Sequence, residues 1–557
     1  MGNMLRMLAQ RLKRIRGGDA GLDCSFLAID MTHPDWFARA KALHTAGKLR
    51  ESLDCLGRAI EVCHNDVEVL RTQARVLREL GRQEDAADSL ELALAFAPDR
   101  TDLLIEAGSV AREMKNETRA FDYLQRAIKI SSDNVDAHFE MAQTCKRFAR
   151  FQEAIACYKC ALALDPNHLA SAINAGMVYL AHLGDPAAAR RMFDYALILQ
   201  PDSVAAQANL GLALQEGGQI EGALEYYDRL ISLYPKETEL RWNRGIALLG
   251  KGDFYRGWLD YEVRNSRPGK SGARQFPFPA WGGDSLKGRK ILIHAEQGLG
   301  DEIMFASCLP DVIRQTKGAV VECDLRLESL FRRSFPDLRV HGAQRNGNRD
   351  WLKAFPKIDV QVGIGSLPRY FRSHWSSFPR HAGYLLADSA RCATWLARIS
   401  ALGAGPKIGI SWLGGTHATR RHLRSLSLVE CLPILQRSDC EFICLQGGDC
   451  GEEIAEVRSR GIKLHWWPEA TADMDELAAL ITSLDSVVAA TSTLVHLGGA
   501  LGKVVWVMVP ANPEWRYLWQ GDEMPWYPSA HLVRQKQSGD WRFVTQEIAR
   551  QIGHGPV

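Results

Sequence analysis

No stretch of the chain comes near the roughly 18–20 consecutive apolar residues that a membrane span requires. An excess of one charge is also lacking: 68 Lys+Arg stand against 66 Asp+Glu, a formal net charge of +2. Without a global field, nothing gathers nucleic acid or an acidic surface. Cysteine is sparse and odd in number, 13 among 557 residues, which is not the framework of a small secreted disulfide protein. The N-terminus has neither the continuous apolar core nor the small-residue cleavage site of a signal peptide. Arg6 stands where a myristoylation signal has Ser or Thr. What remains is a soluble chain expected in the cytoplasm and, at more than ~250–300 residues, one that divides into several domains.

Residues 1–31 form a basic leader. Arg6, Arg11, Lys13, Arg14 and Arg16 accompany Leu5, Leu8, Leu12 and Ile15, which fall near one helical face. Such a segment is either a solvated leader or, over residues 1–16, an amphipathic contact with an anionic membrane surface.

A period then dominates. His64, Pro98, Ser132, Pro166, Pro201 and Pro235 are spaced 34, 34, 34, 35 and 34 apart. Five residues before each stand Ala59, Ala93, Ala127, Ala161, Ala196 and Leu230. Twelve before stand Ser52, Ala86, Ala120, Ala154, Ala189 and Ala223; eight before stand Leu56, Leu90, Leu124, Tyr158, Phe193 and Tyr227. Offsets of four and seven put these positions on one helical face. Small residues there let helices approach closely, and the larger one fills the gap between units. This pattern resembles the tetratricopeptide repeat over residues 32–264, with six clear units and a seventh, partial one through Trp242, Gly245, Gly252, Trp258, Tyr261 and Glu262. Stacked helix pairs commonly bind a peptide or protein on their concave face; the alternative is a spacer. Cys157 and Cys160 form a CxxC inside the second helix of a unit, which reads as helix packing rather than metal or redox chemistry.

After Arg264 the period changes. Residues 265–289, rich in Gly, Pro, Arg and Lys, read as a linker. Strands are expected at 290–295, 319–323, 338–340 and 358–362, then at 407–412, 441–445, 463–466, 486–490 and 504–509. Helical segments separate most of them. Alternation of this kind predicts parallel α/β sheets in two lobes, 290–404 and 405–557, the second with a C-terminal helix. Ligands of such sheets bind at the carboxyl ends of the strands.

The first turn, Gln297-Gly298-Leu299-Gly300-Asp301, invites a dinucleotide-binding reading, with Glu322 or Asp324 placed for a ribose contact. Two residues argue against it. Ile303 occupies the third glycine position, and Asp301 would repel a pyrophosphate. A carboxylate at a strand-to-helix turn suits proton acceptance, or it caps the following helix.

The stretch His294–Asp301, with Leu309-Pro310 after it, resembles the first loop of heptosyltransferase-like glycosyltransferases, in particular the bacterial branch fused behind tetratricopeptide repeats. Gly409-Ile410-Ser411-Trp412, Leu445-Gln446-Gly447, residues 485–502 and the tail with Pro513-Glu514-Trp515-Arg516 and Pro525-Trp526-Tyr527-Pro528 extend the match over about residues 275–550. The resemblance implies an α-helical tetratricopeptide solenoid followed by an α/β GT-B module of two Rossmann-like lobes, with a nucleotide-sugar donor held mainly by the second. It implies no cofactor and no metal, the leaving diphosphate being stabilised by helix N-termini and side chains.

By the same resemblance, Asp301 matches the acid that deprotonates the acceptor hydroxyl, in a loop with Gln297, Gly298 and Gly300. Thr491, Ser492 and Thr493, with His496 one turn on, match the phosphate cradle; capping and a packed histidine are the alternative. Gln446, Gly447, Trp412 and Gly414 are expected to line the nucleotide cleft. Trp515 and Arg516 are expected at the donor, or Trp515 is structural. The chain departs from the family where Thr491 replaces the usual Asp and Leu413-Gly414 replace a cationic group after Trp412; Arg420, Arg421, His422 and Arg424 are the nearby cations.

The expected function is transfer of a sugar from a nucleotide-sugar donor to a hydroxyl of a protein or glycan acceptor recruited by the repeats. The overall arrangement also resembles O-linked N-acetylglucosamine transferase. The alternative, motivated by Thr491 and Leu413, is an inactive transferase-like scaffold that binds a partner.

Overall fold

A computed structural model describes residues 32–267, 274, 276–296, 298–344, 347–355, 357–415 and 421–552. The leader 1–31, Gln297 and Arg420 lie outside them. The chain is a helical tetratricopeptide solenoid followed by a region of two parallel sheets with helices. It divides into two compact units, residues 1–206 and 207–557, with the boundary in the first turn of the helix Val204–Glu216.

The first unit is built of helix pairs, from His33–Thr45 with Leu49–Val62 to Leu169–Ala181 with Pro186–Leu199. The periodic positions behave as their chemistry demands: Leu56, Leu90, Leu124, Tyr158 and Phe193 are fully buried, as are Ala59, Ala93, Ala127, Ala161 and Ala196. Each large side chain needs room on the facing helix. A methyl group added at Gly108 would lie 2.6 Å from Leu124, and one at Gly176 would lie 2.5 Å from Phe193. The pairs are therefore packed to contact, and added volume is costly. Asp66, Asn116, Asn134 and Asp185 cap their helices by accepting from backbone N–H groups. Cys157 and Cys160 lie in the helix Phe151–Leu164 as free thiols.

The second unit opens with helices, including Ile220–Leu233, Thr238–Lys251 and Phe254–Tyr261, and continues into the sheets. The first sheet has strands β1 (Ile291–His294), β2 (Ala319–Asp324), β3 (Arg339–Ala343) and β4 (Val360–Gly363) in the order β3-β2-β1-β4, all parallel. The second has β5 (Lys407–Ser411), β6 (Glu441–Cys444), β7 (Leu464–Trp466), β8 (Ser486–Ala490), β9 (Val504–Val509) and β10 (Ala530–Arg534) in the order β10-β9-β8-β5-β6-β7. In each lobe the chain reverses direction beside its first strand. The switch points therefore lie between β1 and β4 and between β5 and β8. Strand β10 follows a Pro- and Trp-rich tail whose turns hide it from pattern reading.

The helical pair 238–261 is embedded in the α/β core. Trp258 is fully buried, donates its indole N–H to the Arg372 carbonyl (2.8 Å), and meets Tyr261, Phe305, Trp515 and Trp526 at ring-centroid distances of 5.4–6.3 Å. Phe305 comes from the first lobe and Trp515 and Trp526 from the second, so one aromatic hub joins three parts of the unit. Within the stretch expected as a linker, Trp281 is buried. Its backbone N–H donates to Gln361 on β4 (2.8 Å), and Gln361 donates to Pro279 (2.9 Å). No helix among the described residues is long and apolar enough to cross a membrane.

Candidate functional site

The helix Leu299–Phe305 starts directly after β1. Gly298, in extended conformation, is its N-cap, so Asp301 is the third helical residue and not the cap. With no capping duty, the Asp301 carboxylate turns to Arg516, 215 positions away. The Arg516 Nε donates to Asp301 Oδ1 (2.7 Å) and the guanidinium Nη2 pairs with the same oxygen. Gly300 faces the second lobe: a methyl group there would lie 3.0 Å from the His496 ring and 3.4 Å from the Thr493 hydroxyl. A residue with a side chain would push the helix Leu299–Phe305 off the helix Thr493–Ala500. Gly300 is thus a close-approach glycine, whereas nothing crowds Gly298.

On the second lobe, the loop after β8 supplies Thr491, Ser492 and Thr493. Ser492 is the N-cap of the helix Thr493–Ala500, its hydroxyl accepting from the Leu494 N–H (3.3 Å). Thr491 is buried and its hydroxyl has no hydrogen-bond partner among the described residues. An unmet buried hydroxyl is costly. The loop after β5 runs against this turn: a methyl group at Gly414 would lie 2.7 Å from the Arg424 carbonyl and 2.8 Å from that of Thr491. The Gly414 N–H donates to Ser425 (2.9 Å), and Arg424 pairs with Glu514. Two guanidiniums, Arg424 and Arg516, therefore stand at this switch point, paired with Glu514 and Asp301.

His496 is buried beside Tyr527, its Nδ1 3.2 Å from the phenol oxygen. Burial, reinforced by the charges of Arg516 and Arg424, pushes its pKa down to about 3. It is neutral at any ordinary pH, and its duty is packing and hydrogen bonding rather than proton transfer.

Several expected residues sit elsewhere. Trp412 is fully buried in the second lobe's core and donates its indole N–H to Glu453 (3.0 Å), so it does not line a cleft. Trp515 is buried in the aromatic hub. Gln446 spends its carbonyl oxygen on Ser411 (2.9 Å) and the Leu413 N–H (3.0 Å), and its amide on the Gly447 carbonyl (3.1 Å). It braces the ends of β5 and β6, while Gly447 beside it is uncrowded. Asp301, Gly300, Thr493, His496 and Arg516 come together; Thr491, Gly414, Arg424 and Glu514 adjoin them.

Sequence reasoning did not find the group that fills the first lobe's switch point. Arg264, from the end of the helical pair, donates one Nη2 to both oxygens of Glu296 (2.9 and 2.7 Å) and to Ser366 (2.6 Å). Glu296 also accepts from Asn265 (2.7 Å) and the Gly365 N–H (3.0 Å). A methyl group on Gly363, the last residue of β4, would lie 2.1 Å from the Glu296 carboxylate. Both side chains are 5% exposed, and Arg264 holds the Glu296 pKa below its usual range against the upward pull of burial. Glutamate two residues before the Gly298 turn was the only available signal.

Among the described residues, no group of three or more His, Cys, Asp or Glu could hold a metal ion. A tetratricopeptide repeat family profile matches residues 71–135, 139–204, 179–238 and 208–254. The solved tetratricopeptide repeat protein YrrB, described as having an unusual peptide-binding site, is 24% identical over 31% of this chain and 88% of its own (TM-score 0.27). A tetratricopeptide repeat protein from Parabacteroides merdae is 14% identical over 43% and 94% (TM-score 0.37). Protein FlbA of Caulobacter vibrioides is 32% identical over 434 residues, which span 74% of this chain and 72% of FlbA. On that extent of shared sequence, which reaches well beyond what the repeats alone could account for, the chain belongs to the FlbA family.

Proposed function

We propose that the chain is a glycosyltransferase that moves a sugar from a nucleotide-sugar donor to a hydroxyl of a protein or glycan acceptor. The tetratricopeptide repeats support binding of a protein partner, and in this reading that partner is, or presents, the acceptor. Remote binding energy of this kind lowers the barrier only when it positions the hydroxyl at the reacting carbon.

One observation carries the reading: Asp301, from the first lobe, pairs with Arg516 of the second, and Gly300 beside it lies against the N-terminus of the helix Thr493–Ala500. In the proposed reaction the Asp301 carboxylate takes the proton of the acceptor hydroxyl, and the hydroxyl oxygen forms a bond to the anomeric carbon. The bond from that carbon to the nucleoside diphosphate breaks. The departing charge falls to Arg516, the Thr491 and Thr493 hydroxyls and the helix N-terminus. No cofactor or metal enters this scheme.

The scaffold reading is favoured by two departures from the resembled family: Thr491, where it carries an acid, and Leu413, where it carries a cationic group. The two readings separate in one assay. Full-length protein is screened by thermal shift with UDP-, ADP-, GDP- and CMP-sugars, and the stabilising donor is then tested for turnover. The transferase reading expects turnover that falls roughly 10²–10⁴-fold in Asp301→Ala while donor binding persists. Donor binding without turnover supports the scaffold, and stabilisation by no donor removes the transferase reading.

A further inference from the structure

We propose that Arg516 serves two anions in turn: the Asp301 carboxylate in the empty protein and the diphosphate of a bound nucleoside diphosphate, so that ligand binding frees Asp301. This rests on the second lobe's switch point being a nucleotide site.

The pair is built for exchange. Both nitrogens that Arg516 offers converge on one oxygen, Asp301 Oδ1, rather than forming the two parallel bonds of a fork. The forked arrangement is present in the same unit, where Arg274 donates to both oxygens of Glu322 (2.6 and 2.7 Å); forks are the stronger pairs. Exposure points the same way. Arg516 and Asp301 are 19% and 16% exposed, against 5% for each member of the Arg264–Glu296 pair. The first pair is the less covered of the two.

The backbone that carries Arg516 is fixed, so exchange is confined to its side chain. Arg534, at the end of β10, donates to the carbonyls of Tyr517 (2.7 Å), Leu518 (3.0 Å), Gln520 (3.3 Å) and Gly521 (2.6 Å). Leu518 is held at φ +53°, a left-handed conformation that a branched side chain resists. The Trp519 N–H donates to the Gly250 carbonyl (3.0 Å). A loop tied at so many points, one of them strained, presents its guanidinium from a constant place.

The surroundings fit an anion that outcompetes a carboxylate. The partnerless Thr491 hydroxyl is buried beside the Gly414 turn, and the Thr493 hydroxyl lies against Gly300. Arg516 is paired with Asp301, and Arg424 with Glu514 beside it. A diphosphate accepts hydrogen bonds from the guanidinium and from hydroxyls together, whereas Asp301 satisfies the guanidinium alone.

The test measures nucleotide affinity in the full chain by calorimetry, with UDP, ADP, GDP and CDP. The diphosphate that binds the wild type should bind Asp301→Asn more tightly, by roughly three- to thirtyfold, because Arg516 no longer has to leave a carboxylate. Arg516→Ala should bind at least about tenfold more weakly. The double variant should match Arg516→Ala, with no gain from the asparagine. Asp301→Ala, which removes the carboxylate without adding an amide, replaces Asp301→Asn if the latter does not fold. Unchanged or weaker binding in a folded Asp301 variant overturns the exchange, as does a gain that survives in the Arg516→Ala background. Absence of binding by any nucleotide to the wild type removes the nucleotide reading itself, and this proposal with it.

Discussion

The two lobes share a plan and differ at the place where the plan puts a ligand. Each is a parallel sheet whose chain reverses beside its first strand. Between β1 and β4 the crevice is filled by Arg264 and Glu296, which also bond to Ser366, Asn265 and the Gly365 N–H, while the Arg264 Nε has no partner among the described residues. Between β5 and β8 it holds a glycine turn, Thr491, whose hydroxyl has no partner among the described residues, and Arg516, whose nitrogens meet a single oxygen of Asp301. An ion pair buried this deeply is structural, and removing one partner is far costlier than the pair is worth. In the proposed reading, the Thr491 hydroxyl and the Arg516–Asp301 pair receive the nucleotide in the second crevice. In that reading the same topology yields a sealed crevice in one lobe and a receptive one in the other.

The largest expected effect breaks the sealed side. Arg264→Ala leaves the Glu296 carboxylate buried without its cation and should cost about 3–5 kcal/mol, seen as a lower urea midpoint for the unit containing the sheets. Arg264→Met combined with Glu296→Leu should recover much of that loss, since an apolar pair needs no compensation. Next comes crowding on the receptive side. Gly414→Ala forces a methyl group between two carbonyl oxygens and should cost up to about 3 kcal/mol, with nucleotide binding lost alongside it.

The third prediction concerns pH. His496 has its pKa depressed to about 3 by burial in the folded protein, against about 6.5 when unfolded. The unfolded chain therefore binds the extra proton between these values, and the stability that His496 contributes is complete above pH ~6.5 and is lost as pH falls toward 3. Between pH 7.5 and pH 5, wild type should lose about 2 kcal/mol more than His496→Asn in urea titrations. Smallest is Thr491→Val, which deletes a hydroxyl with no hydrogen-bond partner among the described residues. It should leave stability unchanged or raise it by up to about 1 kcal/mol and still weaken nucleotide binding, a separation that the corresponding Glu296→Gln change in the sealed crevice should not show.

What the sequence disclosed follows the range of the interactions. The repeats were legible because each helix pair packs mostly on its sequence neighbours, so Leu56, Leu90, Leu124, Tyr158 and Phe193 announce themselves by spacing. The nine expected strands all occur, within a few residues of their predicted ends, since buried parallel strands are short apolar runs. The site was legible only in part. Asp301 and Arg516 were singled out separately, but 215 residues of chain conceal their pairing. Trp412 misled because a tryptophan closing a strand can point to either face, and here it points inward to Glu453. Arg264 carried no local signal; its meaning comes from Glu296, Ser366 and Gly365, which the fold brings together around it.

The measurement that bears most directly on the contrast between the lobes is calorimetric titration of UDP, ADP, GDP and CDP into the full-length protein and three variants. One nucleoside diphosphate should bind the wild type saturably and the Arg516→Ala and Thr491→Val proteins more weakly. It should bind a folded Arg264→Met, Glu296→Leu protein as tightly as wild type. Binding lost in the sealed-crevice variant but untouched in the other two, or no binding in any of them, would contradict the assignment of the ligand site to the second lobe.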